Sequence, residues 1–415
     1  MNAGVQVAGA GVIDDGASSF NAGGTRVAFV VQRCGREVNG GAEALCLKVA
    51  ERMARHWRVE VLTTCALDYV TWANHYRPGL ESVCGVPVRR FPVAETRDVE
   101  RFNALSESLM DGIASKRPQQ EAWMRAQGPW APALLQFIEA NAERYDLFIF
   151  FGYLYAQTYF GLPRVARKAI LVPLAHDEWT IHLSMWDRFF SLPRGFIFST
   201  EAELEFLRSR FPRASLDGPV LGVAVERPTD VDPHRFRQAH AVDGPFLLYV
   251  GRIDPSKGCD VLFDYFARHA EETRDNRTLI LLGTPVMPIP MHPQIVSLGF
   301  VDEQTKWDAL AACDLVVMPS PYESLSMAIL EAWSVAKPVL VNGDCEVLKA
   351  QCKRSNGGVW YRSYEEFSSA VVVLGRGIYA NALGRQGYFF VTRAYQWAAI
   401  ESGYLDAAAR AIEAA

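Results

Sequence analysis

The sequence predicts an α/β protein of two doubly wound domains that face each other. Three observations predict it. Short apolar runs alternate with amphipathic stretches, the alternation halts at a polar, proline-bearing segment near residue 235, and it then starts again. Such alternation builds parallel sheets with crossover helices, and a restart builds a second sheet. The 415 residues suffice for two or three domains.

Taken in order, Arg26–Gln32 (RVAFVVQ) reads as a strand, followed by Gly40-Gly41 and an amphipathic stretch from Ala42 to His56. Val59–Thr63 and Val86–Phe91 read as further strands, and residues 95–145 as mostly helical with many aromatics. Asp146–Phe151, Lys168–Pro173 and Gly195–Ser199 complete the first series. After the stretch Glu226–Gly244 come the strands Phe246–Val250, Thr278–Leu282, Ile295–Leu298, Asp314–Met318 and Pro338–Val341. Helical patterns lie between them at Cys259–His269, Lys306–Ala312 and Met327–Val335. Asn342 and Cys345–Gly358 read as a polar loop beside the ligand site. Residues 1–25, rich in small and polar types and without a basic-then-apolar pattern, read as a disordered tail.

Composition narrows the class. Half of the residues are apolar, and the net charge of −5 gives no footprint for nucleic acid or another polyanion. No apolar run approaches the ~20 residues of a membrane span. The eight cysteines are scattered with no C-x-x-C pair, so neither a zinc knuckle nor a disulfide framework is expected. Reduced thiols imply a soluble cytoplasmic protein, with peripheral attachment to the inner membrane left open.

The chemistry gathers in four loops. In PSPYESLSMAILEAW, residues 319–333, Glu323 precedes a helix start and Glu331 lies two turns into the helix. Ser324 or Ser326 is the natural N-cap, and the free amides of the first turn, reached through Ser324, Leu325 and Ser326, form an anion site. A phosphate there leaves Glu323 near whatever hangs from its distal side and lets Glu331 reach a diol. The bland alternative is that both carboxylates only serve the helix. YVGRIDPSKG, residues 249–258, follows a strand and places Gly251, Arg252 and Lys257 in a loop at its C-terminal end, where open α/β sheets bind ligands. A guanidinium fork and an ammonium together suit a diphosphate. Gly40 and Gly41 let backbone amides approach a ligand closely, although glycine pairs also make ordinary turns. His176, in LVPLAHDEW, follows an apolar strand and either touches a sugar or serves structure.

Together these pieces resemble the retaining glycosyltransferases of the GT-B fold, specifically family four. E-x7-E corresponds to Glu323 and Glu331, G-R-x4-K-G to Gly251–Gly258, and the glycine pair and histidine to Gly40-Gly41 and His176. The resemblance implies a GDP- or UDP-sugar donor held by a C-terminal domain at 236–392 and an acceptor on the N-terminal domain at 26–235. It also implies a final helix at 393–415 returning to the N-terminal domain. Arg252 and Lys257 would neutralise the departing diphosphate, Glu331 would bind the ribose, and Glu323 the hydroxyls of the transferred sugar. Gly41 would approach the diphosphate, and His176 the reacting carbon. Retention by front-face attack is implied, with no metal and no other cofactor. The acceptor would be a glycan or a lipid-linked sugar in polysaccharide or surface-glycan synthesis.

One departure stands out: family members often carry glycines between the glutamates, where this chain has Ser324-Leu325-Ser326. Serine keeps the amides and narrows the loop. Gly283-Thr284 and Gly299-Phe300-Val301 are candidate base contacts, and Tyr69, Trp72, Tyr76, Trp123, Trp130, Tyr153 and Tyr155 are candidate acceptor contacts or core. A sugar-nucleotide epimerase or hydrolase, or a silent sugar-nucleotide-binding partner, remains the alternative. Two motifs are set aside: GAGVIDDG at 9–16 lacks a preceding strand, and Asp230-Val231-Asp232 lies in the linker rather than after a buried strand.

Overall fold

The computed structural model describes residues 24–38, 40–111, 116–375 and 377–413. The expected N-terminal tail falls outside the described residues except for Gly24 and Thr25, as does the glycine motif at 9–16.

Seven strands form the first sheet: β1 (Arg26–Val30), β2 (Arg58–Thr64), β3 (Gly79–Val83), β4 (Val86–Phe91), β5 (Leu147–Phe151), β6 (Ala169–Val172) and β7 (Gly195–Phe196). Their order is β3-β4-β2-β1-β5-β6-β7. Six form the second: β8 (Phe246–Val250), β9 (Thr278–Leu282), β10 (Ile295–Gly299), β11 (Leu315–Met318), β12 (Val339–Asn342) and β13 (Gly358–Tyr361), in the order β10-β9-β8-β11-β12-β13. All neighbours are parallel except β3 with β4. Helices cover both faces of such a sheet, so central strands read as unbroken apolar runs. LFIFF of β5 is buried at every position, as is LVVM of β11.

Topology places the loops. The first sheet winds outward from β1 in one direction and from β5 in the other, so its direction reverses between them. The second reverses between β8 and β11. Ligands of open α/β sheets bind beyond the strand C-termini at these reversals. Three of these strands release a candidate loop there, Gly40-Gly41 after β1, Arg252–Lys257 after β8 and Tyr322–Ser326 after β11, and His176 follows the neighbouring β6.

Three elements differ from expectation. Gly79–Val83 is an antiparallel edge strand, joined to β4 through Cys84-Gly85, both at positive φ. Its polar side chains hide it from a search for apolar runs. The expected polar loop at Cys345–Gly358 is instead the helix Glu346–Ser355, which buries Val347, Leu348, Gln351 and Cys352. The linker holds a short helix, Pro233–Ala239, on which Asp232 accepts a hydrogen bond from the His234 amide at 2.9 Å. Asp230 pairs with Arg235 at 3.3 Å, so both linker aspartates serve that helix.

The last helix, Trp397–Glu413, packs against β5, β6 and β7 rather than the second sheet. Glu401 on it pairs with Arg52 and, at 2.9 Å, with His56.

Candidate active site

Between the sheets lies a cleft of about 240 Å³. Gly40, Gly41 and His176 line one wall; Arg252, Lys257, Glu323, Ser324 and Leu325 line the other. Gly251, Ser326 and Glu331 stand behind that lining, the last two nearly buried at 3% exposure each. A larger cavity of about 710 Å³ lies elsewhere, among Arg117, Tyr159, Arg164 and Phe189, and contains none of these residues.

The basic loop is built by its own sequence. Asp254 caps the turn by accepting from the Ser256 amide at 2.7 Å, and it holds Arg252 Nε at 2.7 Å. The Arg252 guanidinium keeps the Asp254 carboxyl below its usual range against the opposing effect of burial. Arg252 also lies over the ring of Tyr69, 4.4 Å from its centroid, so an N-terminal aromatic meets a C-terminal cation. Gly258 ends the loop at φ +70°, where a Cβ would stand 2.4 Å from the Pro319 carbonyl oxygen. Only glycine lets the two loops approach so closely.

The acidic loop meets it. Lys257 Nζ donates to Glu323 Oε1 at 2.7 Å. Ser326 is the N-cap of the Met327–Ser334 helix, but its side chain makes no capping hydrogen bond. The amides of that first turn therefore keep donors for an anion. Glu331, on the next turns, accepts from Lys306 at 2.9 Å, and Lys48 of the first domain stands 4.0 Å away. Burial pulls the Lys306 ammonium down, yet Glu331 and Glu303 hold it above its ordinary value.

His176 stacks on Tyr322, with ring centroids 5.6 Å apart and planes 24° from parallel. Its Nδ1 stands 3.6 Å from Glu178 and has no hydrogen-bond partner despite being buried. Burial and the nearby Lys257 hold its pKa below the histidine value of 6.5, outweighing Glu178 and Glu323. A neutral ring that lines the cleft, with one nitrogen buried toward Glu178, is suited to a hydroxyl group on its exposed side.

Sequence reasoning missed a supporting set. Arg33 and Glu43 form a buried pair at 2.6 Å on the cleft floor, with Arg33 also donating to the Leu67 carbonyl at 2.7 Å. Glu43 directly follows Gly40-Gly41-Ala42, so that signal was present. Glu203 is fully buried and accepts from the Ala175 and Ser199 amides, both at 2.7 Å. It thereby holds the backbone just before His176. Thr200 caps the same helix and donates across the cleft to the Ser324 carbonyl at 3.2 Å. No local pattern announces contacts between residues so far apart in sequence. Of the candidate acceptor aromatics, Tyr69, Tyr153 and Tyr155 reach the cleft, whereas Trp123 is buried in the first domain's core.

Two facing doubly wound sheets with a cleft at their switch points define the GT-B fold. Residues 244–375 match the family of glycosyl transferases group 1. A sucrose-phosphate synthase from Thermosynechococcus elongatus has the same fold, with a TM-score of 0.71 over 94% of this chain and 100% of its own, at 15% identity. So does HepE of Anabaena, solved with UDP-glucose, with a TM-score of 0.64 over 92% of this chain and 98% of its own, also at 15% identity. Among curated sequences, a D-inositol 3-phosphate glycosyltransferase of Stackebrandtia nassauensis is 28% identical over 51% of this chain and 49% of its own length. The chain spans about a third of the length of the first curated relatives it matches.

Proposed function

We propose that the protein is a retaining glycosyltransferase that moves a hexose-type sugar from a nucleotide diphosphate sugar to a glycan or lipid-linked acceptor. The observation that carries this reading is convergence: Arg252, Lys257 and an uncapped helix start meet on one wall, opposite Gly40-Gly41 and His176. A diphosphate leaving group needs positive charge where its own charge develops, and those three elements supply it. A Cβ on Gly41 would meet nothing within 4 Å, so that stretch of wall is open to a phosphate or sugar.

Glu323 is released toward sugar hydroxyls when the diphosphate takes over Lys257. Glu331, held by Lys306 behind the cleft lining, is assigned to the ribose on the reading that the donor reaches past that lining. The three carboxylates lining the cleft each have a partner: Glu43 with Arg33, Glu178 with Tyr153, Glu323 with Lys257. Glu43 and Glu178 keep these partners and the freed Glu323 is assigned to sugar hydroxyls, so the reading is attack on the donor's own face with the departing phosphate as base. The amide from Ile253 to the Thr284 carbonyl, 3.1 Å, ties the basic loop to the proposed base contacts. UDP-glucose is the first donor to test, because the similar Anabaena protein was solved with it.

Calorimetric titration with UDP- and GDP-hexoses, followed by transfer assays, tests the reading. Glu323→Gln is expected to keep most nucleotide affinity and lose transfer, whereas Lys257→Ala weakens both and lowers kcat by roughly 10²–10³. Unchanged turnover in either variant rejects the assignment. Donor cleavage that proceeds equally well without any acceptor assigns the cleft to a hydrolase or epimerase.

A further inference from the structure

The outward face of the Ile378–Ala394 helix differs from the rest of the surface. Of the 18 large apolar side chains exposed among the described residues, four are on this helix and two, Val372 and Val373, on the helix before it. Ile378 is 78% exposed, Tyr379 60% and Phe389 57%. The opposite face buries Ala380, Gly384, Gly387 and Val391, and the helix lies against Met327–Ser334. At about 100° per residue, Ile378, Arg385, Phe389 and Arg393 fall in one outward stripe, with Tyr379 and Tyr388 to either side.

The charge is one-sided. No Asp or Glu occurs between Glu366 and Glu401, while Arg376, Arg385 and Arg393 do, in a chain whose net charge is −5. Arg385 and Arg393 are exposed and join no ion pair among the described residues. At the rim, Lys353 lies over the exposed Trp360, 5.6 Å from its ring centroid. A second copy seated symmetrically on this face would double its arginines and bring no Asp or Glu from 367–400 to pair them. An apolar stripe threaded with unpaired arginines and flanked by tyrosines matches the chemistry of a lipid–water boundary.

We propose that this face docks the protein on a membrane surface bearing anionic lipid headgroups. Ile378 and Phe389 enter the acyl boundary, Tyr379 and Tyr388 lie at headgroup level, and Arg385 and Arg393 meet lipid phosphates. The face lies outside the cleft, so the proposal does not depend on which donor or acceptor the cleft takes.

The test is co-sedimentation of the full chain with vesicles of phosphatidylcholine alone and of phosphatidylcholine with phosphatidylglycerol in equal parts, at rising salt. Binding to the anionic vesicles, weakened by salt, is expected. Ile378→Ser with Phe389→Ser abolishes it, and Arg385→Gln with Arg393→Gln lowers the anionic partition roughly thirty-fold. Melting temperature and nucleotide-sugar titration of both variants stay as in the parent, which separates this result from the fate of the glycosyltransferase reading. The proposal is overturned if the parent binds neither vesicle, binds both equally, or is matched by its variants. It is also overturned if sedimentation velocity finds a dimer that Ile378→Ser with Phe389→Ser dissociates, which would give the face to a second copy.

Discussion

Glu203 and His176 share one loop environment with opposite proton preferences. Burial raises Glu203 to about 7 from 4.5, although amides of Ser199 and Ala175 pull it back. Stability from this group is complete below pH 4.5 and is lost as pH rises through about 7. His176 is shifted below 6.5, so its contribution is complete above that value and is lost as pH falls through its folded pKa. The two slopes oppose each other just below pH 6.5, where the folded chain has lost the His176 proton that the unfolded chain still holds and Glu203 is still releasing its own. Urea unfolding at stepped pH checks this. His176→Phe is expected to leave a stability that falls with rising pH across that window, and Glu203→Gln one that rises. Glu203→Gln also sets an amide donor against a backbone N–H, at a cost of about 1–3 kcal/mol. Parallel profiles for the two variants would contradict the assignment.

At the scale of elements, the site depends on two loops touching. The approach of Gly258 to Pro319 brings Lys257 within reach of Glu323. Gly258→Ala places a Cβ where φ is +70° and the carbonyl oxygen is 2.4 Å away, so the loops must separate. The expected loss is about 1–3 kcal/mol in denaturant unfolding, together with weaker nucleotide-sugar binding by calorimetry. A variant with parental stability and affinity would show that the loops move freely. Thr200 works at the same scale, because one hydroxyl caps its helix and reaches the Ser324 carbonyl across the cleft. Thr200→Ala is expected to cost about 1 kcal/mol of stability, the usual worth of a cap, read in the same unfolding assay.

At the scale of the molecule, the two sheets meet at the cleft, and the final helix carries the chain from the second domain back onto the first sheet. Ile400 and Tyr404, at 2% and 1% exposure, anchor that helix in the core. Glu401 joins it to Arg52 of the helix Gly41–Met53 and to His56 just beyond that helix. Tyr404→Ala is expected to destabilise by about 3–5 kcal/mol, the cost of a large buried cavity, measured as the shift in denaturant midpoint. A shift below about 1 kcal/mol would mean that the helix is only lightly docked.

The order of strands and helices was legible because apolar periodicity is a local property: FLLYV and DLFIFF carry it without reference to anything distant. The motif loops were legible for the same reason, since residue type and position after a strand are written in short stretches. The edge strand β3 escaped because three of its five residues are exposed and its apolar residues do not adjoin, and the helix Glu346–Ser355 because Gln351 and Ser355 fill part of its buried face. The pairing of Lys257 with Glu323, Arg252 with Tyr69, and Glu203 with the backbone before His176 joins positions separated by 28 to 183 residues. Such contacts exist only once two sheets have closed their switch points on one another. The sequence by itself therefore determined part of the chemistry this protein brings to a cleft, including Arg252, Lys257 and Glu323 but not Arg33 or Glu43. The tertiary structure decided which of them meet, because distance in space between remote segments is a property of packing and not of any local run of residues.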